Sequence, residues 1–448
     1  MSAPGQHGTD AGTLRSRHGR RAGGATAAVV LAALAACSGP DPSQGMLVAD
    51  GVEARQVAVS DAGAAADVVG ATRRIGAALL VASPADANAV VSPSSVAVAL
   101  SMLADGARGG TLAELDQVLG ATGEDRRDAV AALRGTLLRH DGDPAVVRDE
   151  ELPDDPVVHL AAQVVVDDQL TPDDAYLTTL ADVYGAGVQR VDLGSDDGKS
   201  ALDAWVQHHS GGLVEESAIT PKDSLRLVLQ DAVVLAARWY TPFPGHATGD
   251  RPFTTADGTE VSVPTMSGEA PRAYAEVDGW RAARLPYTGH ELHADVILPP
   301  DGVNPAAAHP ELLAALAAAL DDAEDQPVRV TLPVLDLRPD PLDLRDAIAT
   351  LGAPTVLDPG AADLTGIGTD DAGERLYLGQ AMQQAVLQLD EEGTRAAAVT
   401  ELGAEAGSAP VDRPVELTLD RPFLIEIAHT STSWPLFQAA IRDPRPGG

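Results

Sequence analysis

Residues 391–410 read EEGTRAAAVTELGAEAGSAP. The stretch follows an apolar strand signal, Ala385-Val386-Leu387-Gln388-Leu389, and passes through two acids and a glycine into a tract of small residues. At period two it divides cleanly. Thr394, Ala396, Ala398, Thr400, Leu402, Ala404 and Ala406 fall on one face; Arg395, Ala397, Val399, Glu401, Gly403 and Glu405 fall on the other. Every charge therefore lies on one side, as in a half-buried strand. Ala and Gly are nonetheless poor strand formers, so the tract does not hold a place in a sheet from the start. No proline interrupts it before Pro410, so both edges are free to pair. These properties describe a loop able to become a strand. A flexible Ala/Gly linker is the other reading of the same residues, and the rest of the chain separates the two.

The chain has 448 residues, 45% of them apolar, enough to bury a large core. Its net charge of −35 leaves no basic surface to neutralise phosphates, which excludes nucleic acid as a partner. The acidity is spread along the chain and favours solubility. At the N-terminus, Arg15, Arg17, Arg20 and Arg21 precede an apolar run over 22–36 that is too short for a membrane span. The run ends in Leu34-Ala35-Ala36-Cys37-Ser38, which resembles a bacterial lipobox. That resemblance implies removal of 1–36 as a signal peptide, lipidation of Cys37, a tether over 37–61, and a secreted protein held at the membrane. Cys37 is the only cysteine, so no disulfide accounts for it. An ordinary cleaved signal peptide, giving an extracellular protein, is the alternative. Arg20-Arg21 offers a twin-arginine export signal as a second route, with only weak support from its flanks.

Residues 62–81 carry apolar side chains at helical spacing and predict a first helix. Ser92-Pro93 has the form of an N-cap with proline at the first helical position. The helix behind it is apolar almost all round, so it is expected to be buried. Gly106, Gly109 and Gly110 end it. Thr111 with Glu114 reads as a capping box, 126–138 as another helix, and 140–156 as an exposed charged loop. Strands are expected at 157–166 and 188–193, and helices at 171–184, capped by Thr171, and at 200–209. A near-continuous apolar run at 225–237 suits a central strand. Short strands follow at 251–266, 273–287, 292–299, 328–335, 415–419, 423–429 and 436–441, with helices at 310–320 and 342–351. Helices crowd the first half and strands the second, which makes the fold α+β rather than a doubly wound sheet.

Several segments recur in a fixed order: Asn88 with Ser92-Pro93-Ser94-Ser95; the turn 104–111, ADGARGGT; Trp205 with Ser210; Arg238-Trp239 with Thr241-Pro242-Phe243; Ala256-Asp257-Gly258-Thr259 with Val263-Pro264-Thr265-Met266; Leu285-Pro286-Tyr287; Ile297-Leu298-Pro299; and 417–427, LTLDRPFLIEI. Together they resemble the serpin family over nearly all of 62–446. The resemblance implies a large, mainly antiparallel central sheet with two smaller sheets, about nine helices, and an exposed reactive loop at about 392–414. It also implies suicide inhibition of serine or cysteine proteases, with no cofactor and no catalytic residues. The protease nucleophile attacks the loop to form an acyl-enzyme. The cut loop then enters the main sheet as a new strand, released from a kinetically held native state.

The opening stretch meets these requirements. Gly393 accepts hinge dihedrals that other residues do not. Together with Glu391 it forms the hinge, and Thr394, Ala396, Ala398 and Thr400 would face the sheet interior, where bulk would block insertion. The family's usual spacing puts the scissile bond at Gly407-Ser408, with Leu402, Glu405, Ala406 and Ala409 as alternatives. These small residues suit an elastase-like or subtilisin-like target, Glu405 a glutamate-specific one, and Leu402 a chymotrypsin-like one. Arg413, followed by Pro414, lies too far along for a trypsin-like one. Ser92, Ser95, Asp231 and Gln383 correspond to the buried polar cluster that controls sheet opening. Asp231 and Gln383 stand where the family usually has Asn and His, and both are expected to pair with hydroxyls. The expected partners are a serine protease and, through Cys37, a membrane; the expected state is a monomer.

Readings from other classes fare less well. There is no G-x-S-x-G elbow and no S-x-x-K for a hydrolase. His290-x-x-His293 reads as two partly exposed strand histidines rather than a metal site, and His208-His209 as solvated helix residues. A solute-binding lipoprotein would need βαβ units that the second half lacks. A serpin-fold protein that does not inhibit remains the nearest rival.

Overall fold

The computed structural model describes Met1 and residues 46–370, 375–394 and 413–445, except the side chains of Asp231 and Asp370. Cys37, Ala396, Ala398, Thr400, Leu402, Glu405, Ala406, Gly407, Ser408 and Ala409 lie outside the described residues.

Two long strands rich in apolar residues, Val157–Asp167 and Leu227–Arg238, pair antiparallel from Val157 opposite Ala236 to Val166 opposite Leu227. They form the middle of a seven-stranded sheet. Its order is Met46–Leu47, Val188–Val191, Val157–Asp167, Leu227–Arg238, Gly393–Thr394, Leu387–Leu389 and Leu335–Leu337. Only Val157–Asp167 with Val188–Val191 is parallel. A six-stranded antiparallel sheet runs Ala89–Val91, Trp434–Ile441, Phe423–His429, Leu292–Leu298, Trp280–Pro286 and Tyr274–Val277. A four-stranded sheet joins Val415–Thr418, Gln326–Pro333, Glu260–Arg272 and Gly249–Thr254. There are eight α-helices among the described residues. The α+β architecture of one large and two smaller sheets is thus present.

The core lies where helix Pro93–Gly106 backs the main sheet. Every residue of that helix except Ala99 is buried, so it gains stability from all of its faces rather than from an apolar stripe. Ser92 occupies the N-cap position, but its side chain does not cap. Its Oγ donates to the Leu436 carbonyl at 2.8 Å, which fixes the helix to the six-stranded sheet.

The capping box at Thr111 is not formed. That helix, Gly109–Leu119, begins two residues earlier. Thr111 Oγ1 accepts from Asp363 N at 3.0 Å, and Glu114 accepts from Thr355 N and Oγ1 at 2.9 and 2.6 Å. Tertiary partners have taken both side chains. Thr171 likewise lies in the short strand Leu170–Pro172, and Asp173 caps the helix instead. The segment 140–156 is not simply exposed, because Pro144, Val147 and Leu152 are buried and the Leu152 carbonyl accepts from Arg238 Nε at 2.9 Å.

The chain docks before residue 62, so a tether extending to 61 is too long. Met46–Leu47 pairs with the edge strand Val188–Val191. Arg55 N donates to the Asp182 carbonyl at 2.7 Å, and its guanidinium meets Asp182, Glu124 and Asp128.

Candidate hinge and insertion cleft

Where strand Leu227–Arg238 ends, the chain turns to clamp residues 390–394. Trp239 N donates to the Glu392 carbonyl at 2.7 Å, and Phe243 N to the Glu391 carbonyl at 2.8 Å. The Trp239 indole N–H donates to the Asp390 carbonyl at 3.0 Å, and Thr248 Oγ1 to the Glu391 carboxylate at 2.6 Å. Within the turn, the Asp390 carboxylate accepts from Glu392 N and Gly393 N at 2.9 and 3.1 Å. An aspartate that collects two successive amides makes a local turn without help from a sheet.

Gly393–Thr394 then enters between two strands. Gly393 lies opposite Arg238, and Thr394 lies opposite both Ala237 and Leu389. Only glycine fits at the first position, since a Cβ there would sit 2.1 Å from the Ala237 carbonyl oxygen and 2.8 Å from Leu152 Cδ1. The Thr394 side chain is 3% exposed. Its hydroxyl shares a hydrogen bond of 2.5 Å with the Tyr287 hydroxyl. Tyr287 stacks on Trp239 with ring centroids 4.6 Å apart. Burial raises the Tyr287 phenol above its ordinary range, and the bond to Thr394 acts against that shift.

Below Thr394 the sheet is open. Among the described residues nothing pairs with residues 227–236 on the edge opposite Val157–Asp167. A cleft open to solvent lies there, about 1410 Å³ with that open solvent counted, walled by Leu229, Val233 and Leu235 on one side and Gln383, Ala385 and Leu387 on the other, with Ser95 and Phe437 also lining it.

Three glutamines hold the far wall away from the central strand, each gripping backbone elsewhere. Gln383 accepts from Ser92 N at 3.1 Å and donates to the Ser92 carbonyl at 3.0 Å. Gln380 accepts from Thr220 N at 3.0 Å and donates to the Thr220 carbonyl at 2.7 Å. Gln384 accepts from Ala218 N at 2.9 Å and donates to the Glu216 carbonyl at 3.2 Å. A primary amide carries both a donor and an acceptor, so it imitates the missing strand neighbour.

Of the hinge residues, Thr394 lines the cleft, next to the clamped Glu391 and Gly393; of the polar cluster, Ser95 and Gln383 line it, and Ser92 is bonded to Gln383. The expectation that Gln383 pairs with hydroxyls is corrected, because it takes the Ser92 backbone while the hydroxyl goes to Leu436. Ser95 is buried, and Asp231 lies opposite Ala162 in the central ladder. Tyr287, Asp390, Gln380 and Gln384 were not singled out from sequence as site residues. The spacing QAMQQ in an otherwise apolar stretch was the only signal for the glutamines. Replacing Gln383 with leucine is expected to leave the Ser92 amide unpaired at a buried site, its carbonyl keeping the bond from Val96 N, at a cost of about 1–3 kcal/mol. A lowered urea midpoint for Gln383→Leu checks this; an unchanged midpoint contradicts it.

Helix Asp196–His209 packs on the main sheet with Trp205 buried against it. His208 is exposed but His209 is not simply solvated: its ring lies 4.5 Å from Trp205, and its Nδ1 is 3.0 Å from His159 Nε2. His159 Nδ1 lies 2.9 Å from the Asp141 carboxylate. Burial, followed by the neighbouring His159 and His208, pushes His209 down to about 3. Burial likewise pushes His429 down to about 4. The unfolded chain therefore takes up these protons first, near the ordinary histidine pKa of about 6.5. Stability is full above that pH and falls as pH drops toward the folded values. Thermal melts from pH 7.5 to 5 are expected to show a falling Tm, with a shallower slope in His209→Phe; parallel slopes would remove His209 from the account. His293 is also corrected. It is buried and bonded to Thr430 at 3.1 Å, whereas His290 sits exposed in a turn with φ 61°. No cluster of three metal-ligating side chains occurs among the described residues.

A family model described as Serpin (serine protease inhibitor) matches residues 75–444. Among curated relatives, Iripin-3 of Ixodes ricinus is 29% identical over 372 residues, covering 81% of this chain and 90% of its own. Leukocyte elastase inhibitor of Bos taurus is 28% identical over 374 residues, covering 80% and 93%. Among solved structures, the thermophilic serpin tengpin in its native state superimposes with a TM-score of 0.76 at 23% identity, covering 89% of this chain and 99% of that one. Its latent state gives a TM-score of 0.68 at 21% identity, covering 84% and 98%.

Proposed function

Because this chain belongs to the serpin family, we propose that it traps proteases by inserting its cut loop into the cleft beside residues 227–236. The observation that carries this reading is the hinge itself. Thr394 is already seated between the central strand and Leu387–Leu389, with an unpaired strand edge directly below it. In the first chemical step, the protease serine oxygen bonds to the carbonyl carbon of Gly407, and the Gly407–Ser408 peptide bond breaks. The Ser408 amine leaves with the proton delivered by the protease histidine. An ester now joins the two proteins, and water would ordinarily hydrolyse it. Insertion of residues 395 onward carries the attached protease along the sheet before that happens, at about 3.4 Å per residue.

The partner in this reading is a serine protease with a shallow apolar S1 pocket, elastase-like or subtilisin-like. The small residues at 404, 406, 407 and 409 support this, as does the name of the leukocyte elastase inhibitor among its relatives. The protein acts as a substrate that is not released rather than as a catalyst. Cys37 is proposed to carry a lipid that holds the inhibitor outside the membrane. The test is a panel of elastase, subtilisin, a glutamate-specific protease and trypsin, with residual activity titrated against inhibitor. Loss of elastase or subtilisin activity near one equivalent supports the reading. Cleavage of the loop with every protease left fully active opposes it.

A further inference from the structure

Arg272 closes strand Glu260–Arg272 and is 4% exposed. Its Nη1 donates to the Gly268 and Val328 carbonyls at 3.1 and 3.3 Å, and its guanidinium carbon lies 5.3 Å from the Phe243 ring centroid. Among the described residues no carboxylate lies within ion-pair distance of it. Three other buried arginines do have such partners, while Arg442, like Arg272, is held by a backbone carbonyl, that of Ala87. Arg126 meets Asp105 and Asp116, Arg284 meets Asp295 and Asp321, and Arg73 meets Glu426. Burial without a counter-ion pushes Arg272 down to about 10. A buried cation held only by carbonyls and an aromatic face is costly unless something completes it.

Arg272 lines a cavity with about 800 Å³ of empty space, its mouth included. Trp239, Tyr240 and Phe243 form aromatic walls, and His290 and Asp325 also line it. Arg284 lines it too, but its charge is taken by Asp295 and Asp321. At the mouth, the exposed Tyr240 ring lies 4.1 Å from the His290 ring. His290 adopts a left-handed φ of 61°, a conformation that side-chain-bearing residues adopt only against steric resistance.

We propose that this cavity binds a small organic monocarboxylate, its carboxylate on Arg272 and its apolar body against Trp239, Tyr240 and Phe243. The chemistry follows from the walls. A guanidinium matches a carboxylate in two-point geometry, and the aromatic rings ask for an apolar body rather than a hydrated inorganic ion. Asp325, which also lines the cavity, disfavours a second negative charge on the ligand, which argues against di- and tricarboxylates. The cavity shares Trp239 and Phe243 with the clamp on residues 390–394, but Arg272 takes no part in that clamp, and the proposal does not depend on the protein's being an inhibitor.

The test uses the full-length protein with sodium benzoate as probe, neutral benzamide as its uncharged counterpart, and inorganic phosphate, all at constant ionic strength. Benzoate is expected to raise Tm saturably by about 2 °C or more and to change Trp239 fluorescence over the same concentrations. Benzamide and phosphate are expected to do neither. Arg272→Met removes the uncompensated charge while keeping an apolar stem. It is expected to fold at least as stably as the parent and to lose the benzoate response at least tenfold in affinity. The absence of a saturable benzoate response overturns the proposal, as does an equal response to benzamide. A phosphate response without a benzoate response overturns the carboxylate assignment. Should Arg272→Met fold poorly, the benzoate–benzamide comparison on the parent protein decides alone.

Discussion

On the proposed mechanism, Thr394→Arg is expected to turn the protein from an inhibitor into a substrate. The parent side chain is 3% exposed and lies between residue 237 and residue 389, bonded to Tyr287. Arginine at that position must either bury an unpaired charge or leave the sheet. Burying it costs several kcal/mol. A barrier to insertion raised by about 3 kcal/mol slows that step ~100-fold. Hydrolysis of the acyl-enzyme is not slowed, so it wins the competition. Denaturing gels are expected to show the covalent band of the parent replaced by cleaved inhibitor, with the protease active. The loop sequence at 402–409 is unchanged, so the initial rate of cleavage should stay within a few-fold of the parent. Thr394→Ser, which keeps the hydroxyl and its small volume, should retain the covalent band. A Thr394→Arg protein that still traps protease at parental stoichiometry would show that this position does not enter the sheet.

Cleavage of the loop by a protease that does not become trapped is expected to make the protein markedly more stable. The open edge at residues 227–236 matches ten residues on its paired side. An inserted strand would therefore gain on the order of ten backbone hydrogen bonds, each worth about 1 kcal/mol net. At ~2 °C per kcal/mol for a chain of this size, Tm should rise by roughly 20 °C. Once inserted, alanine-sized residues at 396 and 398 would fill little of the cleft, so most of the expected gain is backbone pairing rather than apolar burial. Ordinary proteins lose stability when nicked, because cutting a chain adds entropy to its unfolded state. Scanning calorimetry before and after complete loop cleavage measures the difference. An unchanged or lowered Tm would mean that the cut loop stays outside the sheet.

The sequence carried the architecture because its signals were redundant. The apolar run at 225–237 and the β-branched run at 157–166 each specify a central strand by themselves, and they meet in register over 227–236 and 157–166. The glycine at 393 was legible for the same reason, because steric exclusion at Ala237 leaves no choice of residue at that point. Local capping signals misled where tertiary partners outbid them, as when Thr111 and Glu114 turned to residues 363 and 355. The glutamine clasps were out of reach. Gln380, Gln383 and Gln384 bond backbone that is distant in sequence, and a side-chain amide meeting a main-chain amide leaves no periodic trace. The unpaired Arg272 was equally hidden, since a missing counter-ion becomes visible only in three dimensions.

Intact-mass measurement of the parent protein after brief incubation with elastase tests the central claim most directly. The account predicts a covalent species equal to the protease plus the inhibitor through Gly407, together with a released peptide beginning at Ser408. Finding only cleaved inhibitor beside unmodified, active protease would contradict it.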